Sequence, residues 1–95
     1  MVVVDSGNPY NEISKGNNTY IIEFTVDTDS SELVWHRDKE DREVTILEGN
    51  GWKFQRDNEL PFILNKSDVI YIKKGEYHRI IKGNTNLKIS LLKKF

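Results

Sequence analysis

Two histidines and one aspartate are the residues of this sequence with the clearest capacity for chemistry. His36 and His78 are the only histidines, and Asp38 follows His36 by two positions. Because alternate residues of a strand point to the same face, His36 and Asp38 should share a face with Val34. Two imidazoles and one carboxylate are enough to hold a divalent metal with open coordination positions, as in non-haem iron sites. A metal site is therefore the first hypothesis.

A structural interpretation of the same three residues is also open. A single buried histidine is more often hydrogen-bonded to a backbone carbonyl than bound to a metal, and Asp38 could cap a turn. His78 could be a polar residue at the rim of the fold. The residue types alone do not choose between these interpretations.

The composition limits the classes of function. The 95 residues fit one domain, expected to span residues 1–95. Lys and Arg number 14 against 15 Asp and Glu, and the net charge of −1 argues against nucleic acid as a partner. With no membrane-spanning stretch and no signal peptide, the expected location is cytoplasmic. The absence of cysteine excludes thiol catalysis and thiolate metal sites.

Short β-branched or alternating segments between turn residues predict an all-β fold. Residues 1–18 contain Gly, Pro and Asn, and we expect them to be irregular after a possible short strand at residues 2–4. The charge run 38–43 is expected to lie between strands. About eight short strands at roughly ten-residue spacing indicate a sandwich or barrel over residues 19–92. The predicted strands cover residues 19–26, 32–37, 44–47, 52–56, 60–64, 69–72, 77–82 and 87–92.

The order of these elements and two local motifs resemble the small single-domain cupins, which are jelly-roll barrels. The first cupin motif contains two histidines, a glutamate and a closing glycine. His36 falls on its first histidine and Asp38 on its second. Arg42 falls on the glutamate, and Gly49 falls on the closing glycine.

The second cupin motif also has a counterpart. Gly75 and His78 match its glycine and histidine. Ser67 replaces the opening glycine, Lys73 replaces the proline, and Lys82 stands where asparagine is usual. The resemblance covers residues 19–92, most of the chain.

The resemblance implies a double-stranded β-helix with a divalent metal (Fe, Mn, Ni or Zn) held by His36, Asp38 and His78. It implies a small-molecule ligand and an enzyme of oxygenase, isomerase or lyase type. Arg42 is the main departure, because a guanidinium cannot bind a metal. It could pair with Asp38 and replace the metal, point to a ligand, or lie in solvent.

Two other functions are also compatible with the sequence. The first is a metal-free module in which Arg42 and Arg56 bind a small anionic or sugar-like ligand without catalysis. The second is a structural protein that forms a homodimer, as cupins commonly do. Trp35 alternates with His36 and should face outward, where with Ile81 it could form the dimer contact.

Overall fold

The computed structural model describes residues 10–26 and 33–95, and within them it contains eight β-strands and no α-helix. No helix in these ranges is long and apolar enough to cross a membrane. The strands are β1 Tyr10–Gly16, β2 Thr19–Phe24, β3 Asp41–Glu48, β4 Lys53–Arg56, β5 Phe62–Ile63, β6 Val69–Ile72, β7 His78–Ile81 and β8 Leu87–Lys94.

The strands form two antiparallel sheets. The larger has the order β1-β2-β8-β3-β6, and the smaller has the order β5-β4-β7. Strands that are neighbours in sequence often lie in different sheets, since β4, β5 and β7 leave the large sheet while β3, β6 and β8 remain in it. The prediction of an all-β jelly roll is confirmed.

The hydrophobic core lies between the two sheets and follows from the two-residue alternation of the strands. In β3 and β8 every second residue is buried. Trp52 and Phe54 are 1% and 2% exposed and pack in the core. Their core neighbours include Ile46, Leu87 and Phe24, whose ring centroid lies 6.3 Å from that of Trp52.

The N-terminal segment differs from its prediction. Tyr10–Gly16 is a strand paired with β2, so the expected irregular structure is wrong for these residues. Asn17 and Asn18 both have positive φ and form the turn of a hairpin. Asn tolerates this conformation, so the Gly-Asn-Asn cluster that suggested irregular chain marks a tight turn instead. The possible strand at residues 2–4 lies outside the described residues.

The segment before β3 also differs. Residues 33–37 form no strand and contribute only an isolated bridge at His36. Val34 is 59% exposed, so the expectation that it shares an inward face with His36 and Asp38 is wrong. The charge run predicted to lie between strands instead supplies the start of β3, where Arg42 faces inward and Glu43 faces outward.

Two tight turns carry the second motif. Gly75 has a φ of 80°, and the space around its missing side chain is empty, so backbone conformation alone favours glycine there. Ser67, which stands in place of the motif's first glycine, has a φ of 76°. The chain therefore keeps the left-handed turn although it has lost the glycine.

Candidate metal centre

His36 and His78 are brought together by the backbone. The His36 amide donates to the His78 carbonyl at 3.0 Å, and the His78 amide donates to the His36 carbonyl at 2.9 Å. Residues that exchange both bonds in an antiparallel pair project their side chains from the same face. The two imidazole centroids are accordingly 4.3 Å apart, in an edge-to-face arrangement.

Each imidazole is oriented by a backbone carbonyl. His36 Nδ1 lies 2.8 Å from the Val34 carbonyl oxygen, and His78 Nδ1 lies 2.8 Å from the Glu76 carbonyl oxygen. Because a carbonyl oxygen only accepts, each Nδ1 carries a proton and donates it. In the neutral ring Nε2 then carries the lone pair, which is how metal-bound histidines are commonly fixed.

Asp38 completes a three-residue cluster. Its backbone carbonyl accepts from the Gly75 amide at 2.9 Å, which ties Asp38 to the turn before His78. Its Oδ2 lies 3.2 Å from His78 Nε2, and its Oδ1 lies 4.0 Å from His36 Nε2. One possible ligand atom from each residue lies within 4.8 Å of the others. The sequence-predicted ligand residues are thus brought together, with Asp38 and His78 buried and His36 half-buried.

Asp38 is ionised at neutral pH. Burial raises its pKa, but the contact with His78 and the positive charge of Arg42 lower it by more, with smaller contributions from the charges of the two histidines. The net pKa is below the ordinary value of 3.8. The cluster therefore offers an anionic oxygen beside two imidazole nitrogens.

The contact between Asp38 and His78 needs a positive charge between the two atoms. With its proton on Nδ1, neutral His78 presents a lone pair to Asp38 Oδ2 at 3.2 Å. Two acceptors at this distance repel, so either a second proton on His78 or a shared cation is required. Within the described ranges Asp38 Oδ2 forms no hydrogen bond with favourable angles. A divalent metal held between the two atoms would supply this charge, so the donor set fits such an ion.

Arg42 points into the fold, where Glu40 holds it. Arg42 Nε lies 2.6 Å from Glu40 Oε2, whereas Arg42 Nη1 lies 3.4 Å from Asp38 Oδ1. The interpretation of Arg42 as a solvated charge is wrong, because its side chain is only 18% exposed. Glu40 is thus the nearer anionic partner of Arg42, and Asp38 keeps its second oxygen directed at His78.

Sequence reasoning did not find the role of Glu40. The pattern that could have indicated it is the alternation of Asp38, Glu40 and Arg42, which are charged residues at every second position. A solvated run was one of the alternatives left open by the sequence, but Asp38 and Glu40 are both buried. Buried charges need partners, and alternating opposite charges supply them to one another.

Arg56 was predicted to bind a ligand, but it does not line the cavity beside the cluster. Its Nη1 lies 2.7 Å from Glu76 Oε1, and its Nη2 donates to the Tyr71 carbonyl at 2.8 Å. The ligand role of Arg56 stays a prediction. In the structure, Arg56 connects β4 to the turn that precedes His78.

A cavity of about 110 Å³ opens beside the cluster, between the two sheets. Asp38 and His78 line it, while His36 meets the site through its contacts with those two residues. Among the described residues the other polar side chains in its wall are Glu12, Arg42 and Lys93, and the remainder of the wall is hydrophobic. Such a cavity suits a small ligand with an apolar body and a polar end.

Trp35 lies on the surface, as predicted, and is 42% exposed. The guanidinium carbon of Arg79 lies 4.9 Å from the centroid of its ring. This stacking accounts for part of the Trp35 surface. The predicted dimer contact through this residue stays a prediction.

Comparison with known proteins gives matches in structure only. No protein-family model matches the sequence, and a search of curated proteins finds no significant match. Among solved structures, a cupin 2 conserved barrel domain protein from Leptotrichia buccalis is 25% identical with a TM-score of 0.66, over 98% of this chain and 44% of that protein. A cupin domain from Bordetella pertussis is 13% identical with a TM-score of 0.66, over 97% of this chain and 100% of that domain.

FeII HppE is 12% identical with a TM-score of 0.66, and the match covers 90% of this chain and 48% of that protein. The chain thus spans about half the length of some of its structural neighbours and the whole of others. The two antiparallel sheets and these neighbours confirm the resemblance that the motifs predicted. This chain has the fold of the small cupin domain proteins.

Proposed function

We propose that this protein binds a divalent metal ion through His36, Asp38 and His78 and acts on a small molecule held in the adjoining cavity. The observation that carries the proposal is the convergence of two carbonyl-oriented imidazoles and a buried carboxylate within 4.8 Å at the polar end of an apolar cavity. Two histidines and one carboxylate leave coordination positions for water, oxygen or substrate.

The cupin neighbours support the same proposal. One of them is FeII HppE, so a fold of this kind holds iron in at least that protein. A bound metal would polarise a substrate oxygen or, if it is iron, activate oxygen. Fe, Mn, Ni and Zn are the candidates, and oxygenation, isomerisation and lyase chemistry are the reaction types we consider.

The residues around the cluster have defined tasks in this proposal. The carbonyls of Val34 and Glu76 hold the two Nε2 lone pairs toward Asp38. Arg42, neutralised by Glu40, steadies Asp38 Oδ1 and leaves Oδ2 directed at His78. The hydrophobic wall limits water at the site, which strengthens each of these electrostatic contacts.

Metal analysis of the purified protein tests the proposal. The wild type should retain about one divalent ion per chain after dialysis, and Asp38→Asn should lose it because the amide removes the anionic ligand. Asp57→Asn is the matched control, since Asp57 is exposed and lies outside the cavity wall. Failure of the wild type to bind any of the four metals, or full retention by Asp38→Asn, would contradict the proposal.

A metal-free binding module is the second candidate. The distance of 3.4 Å between Arg42 Nη1 and Asp38 Oδ1 favours it, because this contact can stabilise the carboxylate without a metal. The protein would then show no gain in melting temperature with any of the four metals. It would be stabilised by a small anion, and Arg42→Ala would remove that effect.

We also propose a homodimer that uses the Trp35 surface. The exposed area of this ring supports the proposal. Light scattering should report a dimer for the wild type and a monomer for Trp35→Ala. A dimer that persists in Trp35→Ala would exclude this surface.

A further inference from the structure

Lys93 places a second positive charge in the wall of the cavity, at a position that sequence reasoning did not select. It lies on β8 directly opposite Arg42 on β3, and both residues line the cavity. The neighbouring Lys94 has the opposite orientation and pairs with Glu43, with 3.1 Å between Nζ and Oε1. The inward direction of Lys93 therefore follows from its position in the strand.

Two cations directly opposite one another on the same face of a sheet repel. Arg42 is compensated by Glu40 and Asp38. Lys93 Nζ lies 4.9 Å from the centroid of the Tyr20 ring, and no carboxylate of residues 10–26 or 33–95 lies within 4.0 Å of it. An aromatic face is a weaker partner for an ammonium group than a carboxylate is.

The remaining charges of the cavity do not supply that partner. Asp38 is engaged by His78 and Arg42. Glu12 also lines the cavity, but it is exposed on the edge strand β1, where water screens its charge. Lys93 thus lines a largely hydrophobic cavity, and its ammonium group retains the capacity to bind an anion.

We propose that the cavity takes a small aliphatic carboxylic acid whose carboxylate is bound by Lys93. Its hydrocarbon chain would lie against aliphatic residues such as Ile22, Ile72 and Leu91, which line the same cavity. The proposal deepens the proposed function, on which it rests for the delivery of the ligand to the metal centre. Recognition of the carboxylate depends on Lys93 and not on the metal, so it can be measured in metal-free protein.

Titrations of isotope-labelled protein with butyrate, 1-butanol and n-butylamine, followed by NMR, test this inference. The three probes have similar chains and differ in the charge of the head group. Butyrate should bind at least about tenfold more tightly than the other two. Lys93→Gln should weaken butyrate binding about tenfold and leave 1-butanol binding unchanged, and Lys93→Arg should restore it. Lys94→Gln, on the outer face, is the matched control and should bind butyrate as the wild type does.

The same titrations in metal-free and zinc-loaded protein separate this inference from the proposed function. Dependence on Lys93 in both forms supports the inference, even if no metal is retained in the functional test. Butyrate binding that requires zinc and ignores Lys93→Gln would make the carboxylate a metal ligand and overturn the inference while the metal site stands. Equal affinity for butyrate and 1-butanol in the wild type would overturn it as well.

Discussion

His36 and His78 exchange two backbone hydrogen bonds, of 3.0 Å and 2.9 Å, although residues 33–37 form no strand. This one bridge joins an irregular segment to β7 and brings the two imidazoles side by side. The geometry of the candidate site is therefore set by main-chain bonds, which vary little with side-chain motion.

Gly75→Ala should weaken metal binding as well as stability. The φ of 80° should cost Ala about 1 kcal/mol of unfolding free energy, and the turn carries the amide that binds the Asp38 carbonyl. Gly16→Ala is the matched control, because Gly16 also has a φ of 80° and empty space around it but lies outside the site. Both variants should lose similar stability in urea, and only Gly75→Ala should lose metal affinity. Equal metal affinity in the two would contradict this role.

Ser67→Gly should stabilise the protein. A serine at a φ of 76° is strained, and glycine relieves the strain at some cost in the entropy of the unfolded chain, so we expect a gain of about 0.5–1 kcal/mol. Ser67→Ala keeps a Cβ atom at this φ, so it retains the backbone strain and should show no gain in stability. Urea denaturation measures both variants. A similar gain in the alanine variant would mean that the hydroxyl, and not the backbone, is unfavourable.

Glu40→Gln should weaken metal binding. Without Glu40 the guanidinium of Arg42 keeps Asp38 as its anionic partner, and its charge competes with the metal for that carboxylate. We expect a loss of roughly tenfold in metal affinity by calorimetry, and recovery of most of it in the double variant Glu40→Gln/Arg42→Gln. Glu43→Gln, on the outer face of β3, should have no effect. An unrecovered loss in the double variant would show that Glu40 acts by another route.

The metal-free protein should lose stability in acid through Asp38. Because the folded pKa of Asp38 is below its ordinary value of 3.8, ionised Asp38 stabilises the fold above that value. The contribution disappears as the pH falls through the folded pKa. The unfolding free energy of Asp38→Asn should therefore fall less than that of the wild type between roughly pH 4 and 2. Parallel declines in the two proteins, with Asp57→Asn as the reference, would contradict the lowered pKa.

The sequence was sufficient for the fold and for the identity of the clustered residues. The sequence predicted strands at residues 44–47 and 87–92, which lie within β3 and β8, and the glycine and histidine of the second motif pointed to His78. The sequence did not reveal how the His36 segment would be held, because a single long-range bridge leaves no periodic pattern. The sequence also did not reveal which charged residues are buried. The buried pairing of Glu40 with Arg42 depends on tertiary contacts that a run of charged residues does not distinguish from a solvated surface.

Anomalous diffraction from crystals grown with an excess of iron(II), manganese(II), nickel(II) or zinc tests the central claim most directly. We expect one strong peak between the imidazoles and Asp38, at about 2.0–2.2 Å from His36 Nε2, His78 Nε2 and an Asp38 carboxylate oxygen. The absence of a peak with all four metals, with His78 Nε2 still 3.2 Å from Asp38 Oδ2, would contradict it. A proton on His78 would then occupy the place that we assign to the metal.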